Sequence, residues 1–197
     1  MTTMSAEPPT TSTTRTAPTD PGQSVTVSRE GRGWVLRAEQ TLPRSLDELW
    51  PFFADAHNLG ELTPPLLRFN VLTPRPIEMR AGALIDYKIR IRGVPVKWKT
   101  EILAWEPPAR AAERDARTAR FIDNQIKGPY VRWHHEHTFV ERRTGSGVET
   151  LCGDIVHYEV PGLFLAPVVN SLLVERDVRN IFRFRAEVMA RKFGERG

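Results

Sequence analysis

The chain has 197 residues, of which 40% are hydrophobic and 26% are charged, and this length suits one domain with a buried core. The single cysteine, Cys152, excludes a disulfide framework within the chain and a zinc site built from several cysteines. Lysine and arginine number 28 against 24 aspartates and glutamates, so the net charge is only +4. Because this excess is small and spread along the chain, we expect no nucleic-acid partner.

The N-terminal residues 1–24 are rich in threonine and proline and offer almost no apolar side chains to bury. Such a composition is typical of a disordered tail, and it lacks the apolar core of a secretory signal. The longest uncharged apolar stretch, residues 160–174, is interrupted by prolines and is shorter than the roughly 20 residues that span a bilayer. We therefore predict a cytoplasmic protein with one domain over residues 25–197.

The predicted elements begin with a strand over residues 33–41, where apolar and polar side chains alternate. Ser45 and Glu48 then form a capping box at the start of a helix rich in aromatic residues. A second short helix is predicted over residues 58–67, broken by two adjacent prolines. We interpret the aromatic residues of the first helix as core packing.

A series of strands follows the two helices, predicted over residues 68–73, 83–92, 96–105, 120–126, 131–141 and 148–160. Residues 109–119 lack an apolar period and predict an exposed loop or a short surface helix. A helical period returns over residues 167–193 as an apolar stripe. Consecutive strands with flanking helices predict an α+β fold, in which a terminal helix closes an antiparallel sheet.

The densest group of polar and aromatic residues lies in the strand predicted over residues 131–141. Four of its side chains share one face: Trp133, His135, His137 and Phe139. Aromatic residues at both ends of this face predict that it is buried, and an unpaired buried polar group costs about 1–3 kcal/mol. Neighbouring strands supply polar partners for the imidazoles: Asp123, Gln125, Asp154 and Tyr158. Together these residues predict a partly polar internal cavity.

Three interpretations of His135 and His137 stay open at this stage. The two imidazoles form a structural hydrogen-bond network inside the sheet, or they recognise a ligand in a cavity, or they bind a metal together with Glu141, which shares their face. A complete metal motif of this type needs a second half with a further histidine, and His157 stands in the wrong order relative to Pro161 and Gly162 to supply it. We therefore expect no metal and no cofactor.

Several segments resemble the START-like SRPBCC superfamily, in particular a bacterial branch described as polyketide cyclase/dehydrase-like or ligand-binding. The matching strings are RSLDELWPFFADAHNLGELTPP, IRGVPVKWKTEILAWEPP, RFIDNQIKGPYVRWHHEHTF, GDIVHYEVP and VERDVRNIFRFRAEVMARKF. The resemblance covers about residues 34–193 and implies a helix-grip fold. In that fold, about seven antiparallel strands form a curved sheet around a long C-terminal helix and enclose a deep apolar cavity. Residues 109–119 depart from the family pattern, which runs almost directly into the next strand.

The resemblance also implies a set of residues that line the cavity. The D-x-Q and W-x-H-x-H-x-F strings carry over Asp123, Gln125, Trp133, His135 and His137, and the alternation of the strands adds Tyr87, Trp98 and Tyr158.

Three functions follow from these observations as hypotheses. The first is binding of a hydrophobic small molecule of lipid, quinone, polyketide or aromatic type. The alternative is a cyclase or dehydratase, in which His135 or His137 acts as general base and Asp123 or Asp154 orients it. The third is transient contact with a membrane surface through residues 163–165 and the basic final helix. The sequence leaves the ligand and the oligomeric state open.

Overall fold

The computed structural model describes residues 23–110, 116–145 and 147–194. Most of the predicted tail and residues 111–115 of the predicted loop lie outside these ranges. Leu163, one of the residues of the membrane hypothesis, is described by its backbone and not by its side chain.

One antiparallel sheet of eight strands forms the frame of the described molecule, in the order β1-β2-β8-β7-β6-β5-β4-β3. The strands are β1 (Gln23–Glu30), β2 (Gly33–Leu42), β3 (Asn70–Val71), β4 (Leu84–Ile91), β5 (Val94–Arg110), β6 (Arg117–Lys127), β7 (Arg132–Thr144) and β8 (Gly147–Glu159). The sequence predicted about seven strands. The additional strand, β1, pairs with β2 at the edge of the sheet, and its two valines give only a short alternating signal.

Helices lie before and after the run of strands, as predicted. They are α1 (Leu46–Phe53), two 3-10 turns (Ala56–Gly60 and Pro65–Leu67), a third 3-10 turn (Leu163–Leu165), α2 (Ala166–Val169), a π-helical turn (Asn170–Val174) and α3 (Glu175–Phe193). The capping box of α1 is confirmed, since the Ser45 backbone N–H donates to Glu48 Oε2 at 2.9 Å. None of the helices among the described residues has both the length and the apolar character needed to cross a bilayer.

The prediction of a loop over residues 109–119 is wrong at both ends of this range, where the structure has strand. Ala109 pairs with Thr118 and Arg110 pairs with Arg117, so β5 and β6 continue as a ladder beyond the point where the apolar pattern ends. Backbone hydrogen bonds between the strands need no apolar period, and this is why the sequence pattern missed the extension.

Helix α3 packs one face against the concave side of the sheet. Five side chains of this face are buried: Val178, Phe182, Arg185, Ala186 and Met189. Met189 joins a core cluster with α1 and Phe139, whereas Val178 and Phe182 join a second cluster with β2 and β8. A third cluster fills the space under β4 and β5 around Trp98. The predicted helix-grip architecture is thereby confirmed, and the one charged residue of the buried stripe lies near the middle of the sheet.

Candidate functional site

Strands β6, β7 and β8 bring two histidines and two aspartates together on the concave face. His135 lies directly opposite Asp123 on β6, and His137 lies directly opposite Asp154 on β8. Side chains at directly opposite positions have Cβ atoms about 5 Å apart. The strand alternation therefore assembles the group that the sequence predicted, and both imidazoles are buried, with exposed fractions of 6% and 4%.

Each carboxylate of this group lies between both imidazoles. Asp123 Oδ2 is 3.0 Å from His137 Nε2 and 3.4 Å from His135 Nδ1. Asp154 Oδ1 is 2.9 Å from His135 Nε2 and 3.0 Å from His137 Nδ1. All four imidazole nitrogens thus face carboxylate oxygens, an arrangement that fixes both rings in place.

Arg185 of α3 completes the group and was missed by the sequence analysis. Its Nη2 atom lies 3.2 Å from His137 Nδ1 and 3.4 Å from Asp154 Oδ1. A buried guanidinium needs charged or hydrogen-bonding partners. The signal was present in the sequence as a single arginine between Phe182 and Met189 on an otherwise apolar helix face. We name the five residues the charged cluster: Asp123, His135, His137, Asp154 and Arg185.

The charges of the cluster shift its pKa values. Burial by itself would raise the pKa of Asp154, but Arg185 and both imidazoles outweigh burial and hold this pKa well below its usual value. The pKa of Asp123 is lowered in the same way, because the imidazoles and Arg185 outweigh its burial. Burial and the neighbouring His137 lower the pKa of His135. Near neutral pH the cluster therefore holds two carboxylates and a neutral His135 imidazole.

Aromatic rings enclose the charged cluster. Phe121 stacks on His137 with ring centroids 3.9 Å apart, and Phe182 lies edge-on to His135 at 5.5 Å. Trp133 contacts His135 from the other side at 6.3 Å. Because these rings exclude water, the electrostatic interactions within the cluster are stronger than they would be at the surface.

The predicted aromatic site residues lie beside the cluster and not within it. We name four aromatic residues, including one that the sequence analysis did not select, the aromatic box: Trp98, Tyr130, Trp133 and Tyr158. Trp133 is the central ring, with centroids 5.4 Å from Trp98, 4.8 Å from Tyr130 and 6.2 Å from Tyr158. Tyr130 belongs to the GPY string, but strand alternation gives no information about a residue in a turn.

Polar atoms of the aromatic box lack partners among the described residues. The Trp98 indole nitrogen and the Tyr158 hydroxyl of the box, and the Asn170 Oδ1 atom beside Tyr158, are buried without a hydrogen bond of normal geometry. Burial raises the pKa of Tyr158 to about 12, and the Asn170 side chain is close enough to oppose this shift in part. An unmade buried hydrogen bond costs about 1–3 kcal/mol, and the buried Trp98 indole nitrogen carries such a cost.

The remaining two predicted residues, Tyr87 and Gln125, have partners within the protein. The Tyr87 hydroxyl makes a short hydrogen bond with the Thr100 hydroxyl, and its ring stacks on Trp98. Gln125 Nε2 donates to the Tyr130 carbonyl oxygen at 2.7 Å, so this amide holds the turn that carries Tyr130. A Cβ at Gly128 would lie only 2.1 Å from Gln125 Oε1, which explains why the turn has glycine at this position.

The interior beside the charged cluster is nearly filled. A cavity of about 20 Å³ lies against Asp154 and Arg185, which is room for about one water molecule. Side chains of α1, β7 and α3 border this cavity, among them Phe53, Phe139 and Phe182. The protein's own side chains therefore fill this part of the concave face, where the resemblance implies a deep cavity.

Three members of the cluster have the donor atoms of a metal site. One donor atom each from Asp123, His135 and His137 lie within 4.8 Å of one another, and this donor set suits zinc or iron. Glu141, the third ligand under the metal alternative, is elsewhere, because its Oε2 accepts the Leu46 backbone N–H at 2.7 Å at the start of α1. The Arg185 guanidinium beside His137 adds positive charge next to any cation bound there.

Comparisons with known proteins agree with this fold. Residues 42–184 match the family described as polyketide cyclase / dehydrase and lipid transport. The structure is similar to that of TTHA0849 from Thermus thermophilus, with 17% identity, a TM-score of 0.52 and coverage of 80% of this chain and 98% of that chain. Protein Ms6760 from Mycobacterium smegmatis is 14% identical with a TM-score of 0.50, covering 84% of this chain and 97% of that chain. No match is found among the curated proteins.

The chain belongs to the polyketide cyclase/dehydrase and lipid-transport family of the START-like SRPBCC superfamily, since the match spans more than half of its length. The resemblance drawn from the sequence strings is confirmed. At these low identities the structural neighbours establish the fold alone, and the family places the chain among ligand-binding SRPBCC proteins.

Proposed function

We propose that this protein binds a hydrophobic small molecule with at least one polar group between the concave face of the sheet and α3. The observation that carries the proposal is the charged cluster, because five ionisable side chains are gathered inside an aromatic shell on the face that α3 covers. The family description, which includes lipid transport and polyketide chemistry, supports the same class of ligand.

The aromatic box and the charged cluster contribute to ligand binding in different ways. The aromatic box contributes affinity through apolar burial, at about 25 cal/mol per Å², and its unpartnered polar atoms accept or donate hydrogen bonds to the ligand. Arg185 orients the polar group of the ligand, because His137 and Asp154 hold its Nη2 atom in place and its guanidinium has further N–H donors. Binding requires the interior to open, since about 20 Å³ of free space is far too small for such a molecule.

The test is calorimetric titration with 1-naphthol, an aromatic probe with one hydroxyl, together with native mass spectrometry of the purified protein. We expect one probe per chain and at least tenfold weaker binding for Arg185→Met. Arg183→Met is the matched control, because Arg183 lies on the exposed side of the same helix, and it should bind within twofold of the wild type. If Arg185→Met does not fold, His137→Gln replaces it, and equal binding by all variants contradicts the proposal.

A second candidate function, a cyclase or dehydratase, is favoured by one specific observation. His135 has a lowered pKa and lies 2.9 Å from the Asp154 carboxylate, and a neutral imidazole held by a carboxylate is a competent general base. We would incubate the protein with a poly-β-keto thioester and follow cyclisation by absorbance. If the protein is an enzyme, His135→Gln should lose turnover and keep probe binding. If the wild type shows no turnover, the cyclase hypothesis is wrong and only the binding function remains.

A further inference from the structure

Exposed apolar side chains gather at one end of the molecule. The β4–β5 turn, the β6–β7 turn and the segment after β8 lie at the same end, because Ile91 pairs with Val94, Lys99 with Lys127, and Arg132 with Glu159. We name the exposed residues of these three segments the apolar end: Val94, Val131, Phe164, Leu165, Val168, Leu172 and Leu173. The exposed fractions of Phe164 and Leu172 reach 85% and 70%.

The helical part of the apolar end buries one side in the core and exposes apolar side chains on the other. Exposed apolar side chains recur through the 3-10 turn, α2 and the π-helical turn at Phe164, Val168 and Leu172, with Leu165 and Leu173 beside them. The next residue at this spacing is the exposed Arg176. A helix with large apolar side chains and adjacent arginines is typical of a segment that lies in the interface of a bilayer.

Basic side chains surround the apolar end on the neighbouring strands. They are exposed and come from five different segments of the same end: Arg32, Arg90, Lys97, Lys127 and Arg132. Arg92 lies at the β4–β5 turn, where it pairs with Asp177 Oδ2 at 3.0 Å and donates to the Leu173 carbonyl oxygen at 3.3 Å, so its own charge is neutralised while it joins the strands to the helical part. The apolar end thus has a basic rim that complements the negative charge of an anionic lipid surface.

The basic rim also distinguishes between a membrane and a second copy of the chain. Two copies joined through their apolar ends would bring the two basic rims together, and like charges across an interface oppose association. An anionic lipid surface buries the same apolar side chains and neutralises the rim. The charge pattern therefore favours the lipid surface.

We propose that the apolar end docks onto membranes that contain anionic lipids. The aromatic box lies behind this surface, because Tyr130, Trp133 and Tyr158 belong to the same core cluster as three residues of the helical segment: Ala166, Val169 and Val174. A hydrophobic ligand would pass between bilayer and box without crossing water. This second step rests on the proposed function, whereas docking itself does not.

The test is co-sedimentation of the full chain with vesicles of phosphatidylcholine alone or with about 30 mol% phosphatidylserine. We expect pelleting only with phosphatidylserine, reduced at least fivefold in about 0.5 M salt, because the rim acts through screened charges. Leu172→Asp should weaken pelleting at least tenfold, and Arg132→Glu combined with Arg176→Glu should do the same. Leu103→Asp is the matched control, since Leu103 is 45% exposed on the convex face of β5, and it should pellet within twofold of the wild type.

Three outcomes overturn the inference: no pelleting at low salt, equal pelleting by Leu172→Asp and Leu103→Asp, or a sedimentation-velocity dimer that Leu172→Asp dissociates. Titration with 1-naphthol in vesicle-free buffer separates this inference from the proposed function. Probe binding without vesicle binding refutes docking alone, and vesicle binding without probe binding refutes the ligand site alone.

Discussion

Arg185 and Asp154 determine the stability of the charged cluster at the scale of single residues. Their atoms approach to 3.4 Å in a buried setting. Removing one partner of a buried ion pair leaves the other charge uncompensated and costs about 3–5 kcal/mol, whereas an exposed charge contributes little. Substitution of Arg185 should therefore cost much more stability than substitution of the surface arginines of the same helix.

We expect Arg185→Met to lower the free energy of unfolding by about 3 kcal/mol or more, and Arg183→Met to change it by less than about 0.5 kcal/mol. Urea denaturation followed by tryptophan fluorescence measures both. Similar midpoints for the two variants would show that Arg185 is not held by the cluster.

The lowered pKa of Asp154 also gives a pH dependence of stability. The carboxylate contributes stability above its unfolded pKa of about 3.9, and this contribution is lost as the pH falls from there through the lower folded pKa. We expect the urea midpoint of the wild type to fall steeply below about pH 4, and that of Asp154→Asn to fall less steeply. Parallel acid limbs for the two proteins would contradict the lowered pKa.

At the scale of elements, the single side chain of Glu141 stabilises the start of helix α1. It accepts the Leu46 backbone N–H at the start of α1, where the first backbone N–H groups of a helix lack partners within it, and it lies 3.6 Å from Arg117. A carboxylate at this end also interacts favourably with the helix dipole. The residue that the metal hypothesis took as a ligand therefore stabilises a helix that packs on the sheet.

Glu141→Ala is expected to lower the free energy of unfolding by about 0.5–2 kcal/mol, the range for loss of a helix cap. Glu187→Ala is the control, because Glu187 lies exposed on α3, and it should have almost no effect. Thermal unfolding followed by circular dichroism measures both. If Glu141→Ala lowered the unfolding temperature only when a metal ion is present, the result would support Glu141 as a metal ligand. A decrease that is the same with and without metal supports the helix cap.

The interior of the whole molecule is closed by packing between α3 and the sheet. Phe182 contributes to this closure, since it is 4% exposed and contacts both His135 and the small cavity. The free energy of ligand binding must include the separation of such contacts. A smaller side chain at this position would leave more space and lower the cost of opening.

We expect Phe182→Ala to lower the free energy of unfolding by about 3–5 kcal/mol and Phe182→Leu by less, while Phe182→Leu binds 1-naphthol at least fivefold more tightly. Urea denaturation and calorimetry supply the two measurements. Weaker probe binding by Phe182→Leu would mean that the ring contacts the ligand and does not merely occupy its place.

Strand alternation by itself determined which side chains meet on the concave face. His135 and His137 face inward beside Asp123 and Asp154 because every second residue of a strand lies on the same face. The α+β class and the family strings were also readable from the sequence. That these residues bind a ligand stays a prediction.

Only the tertiary structure decided what completes and fills the site. Arg185 reaches His137 across 48 residues of sequence, Glu141 contacts the start of α1, and aromatic side chains border a cavity of only about 20 Å³ beside Asp154 and Arg185. Alternation is a local property that each strand carries in its own residues. The rotation of α3 and its distance from the sheet depend on all the core clusters packing at once, and no single segment of the sequence contains that information.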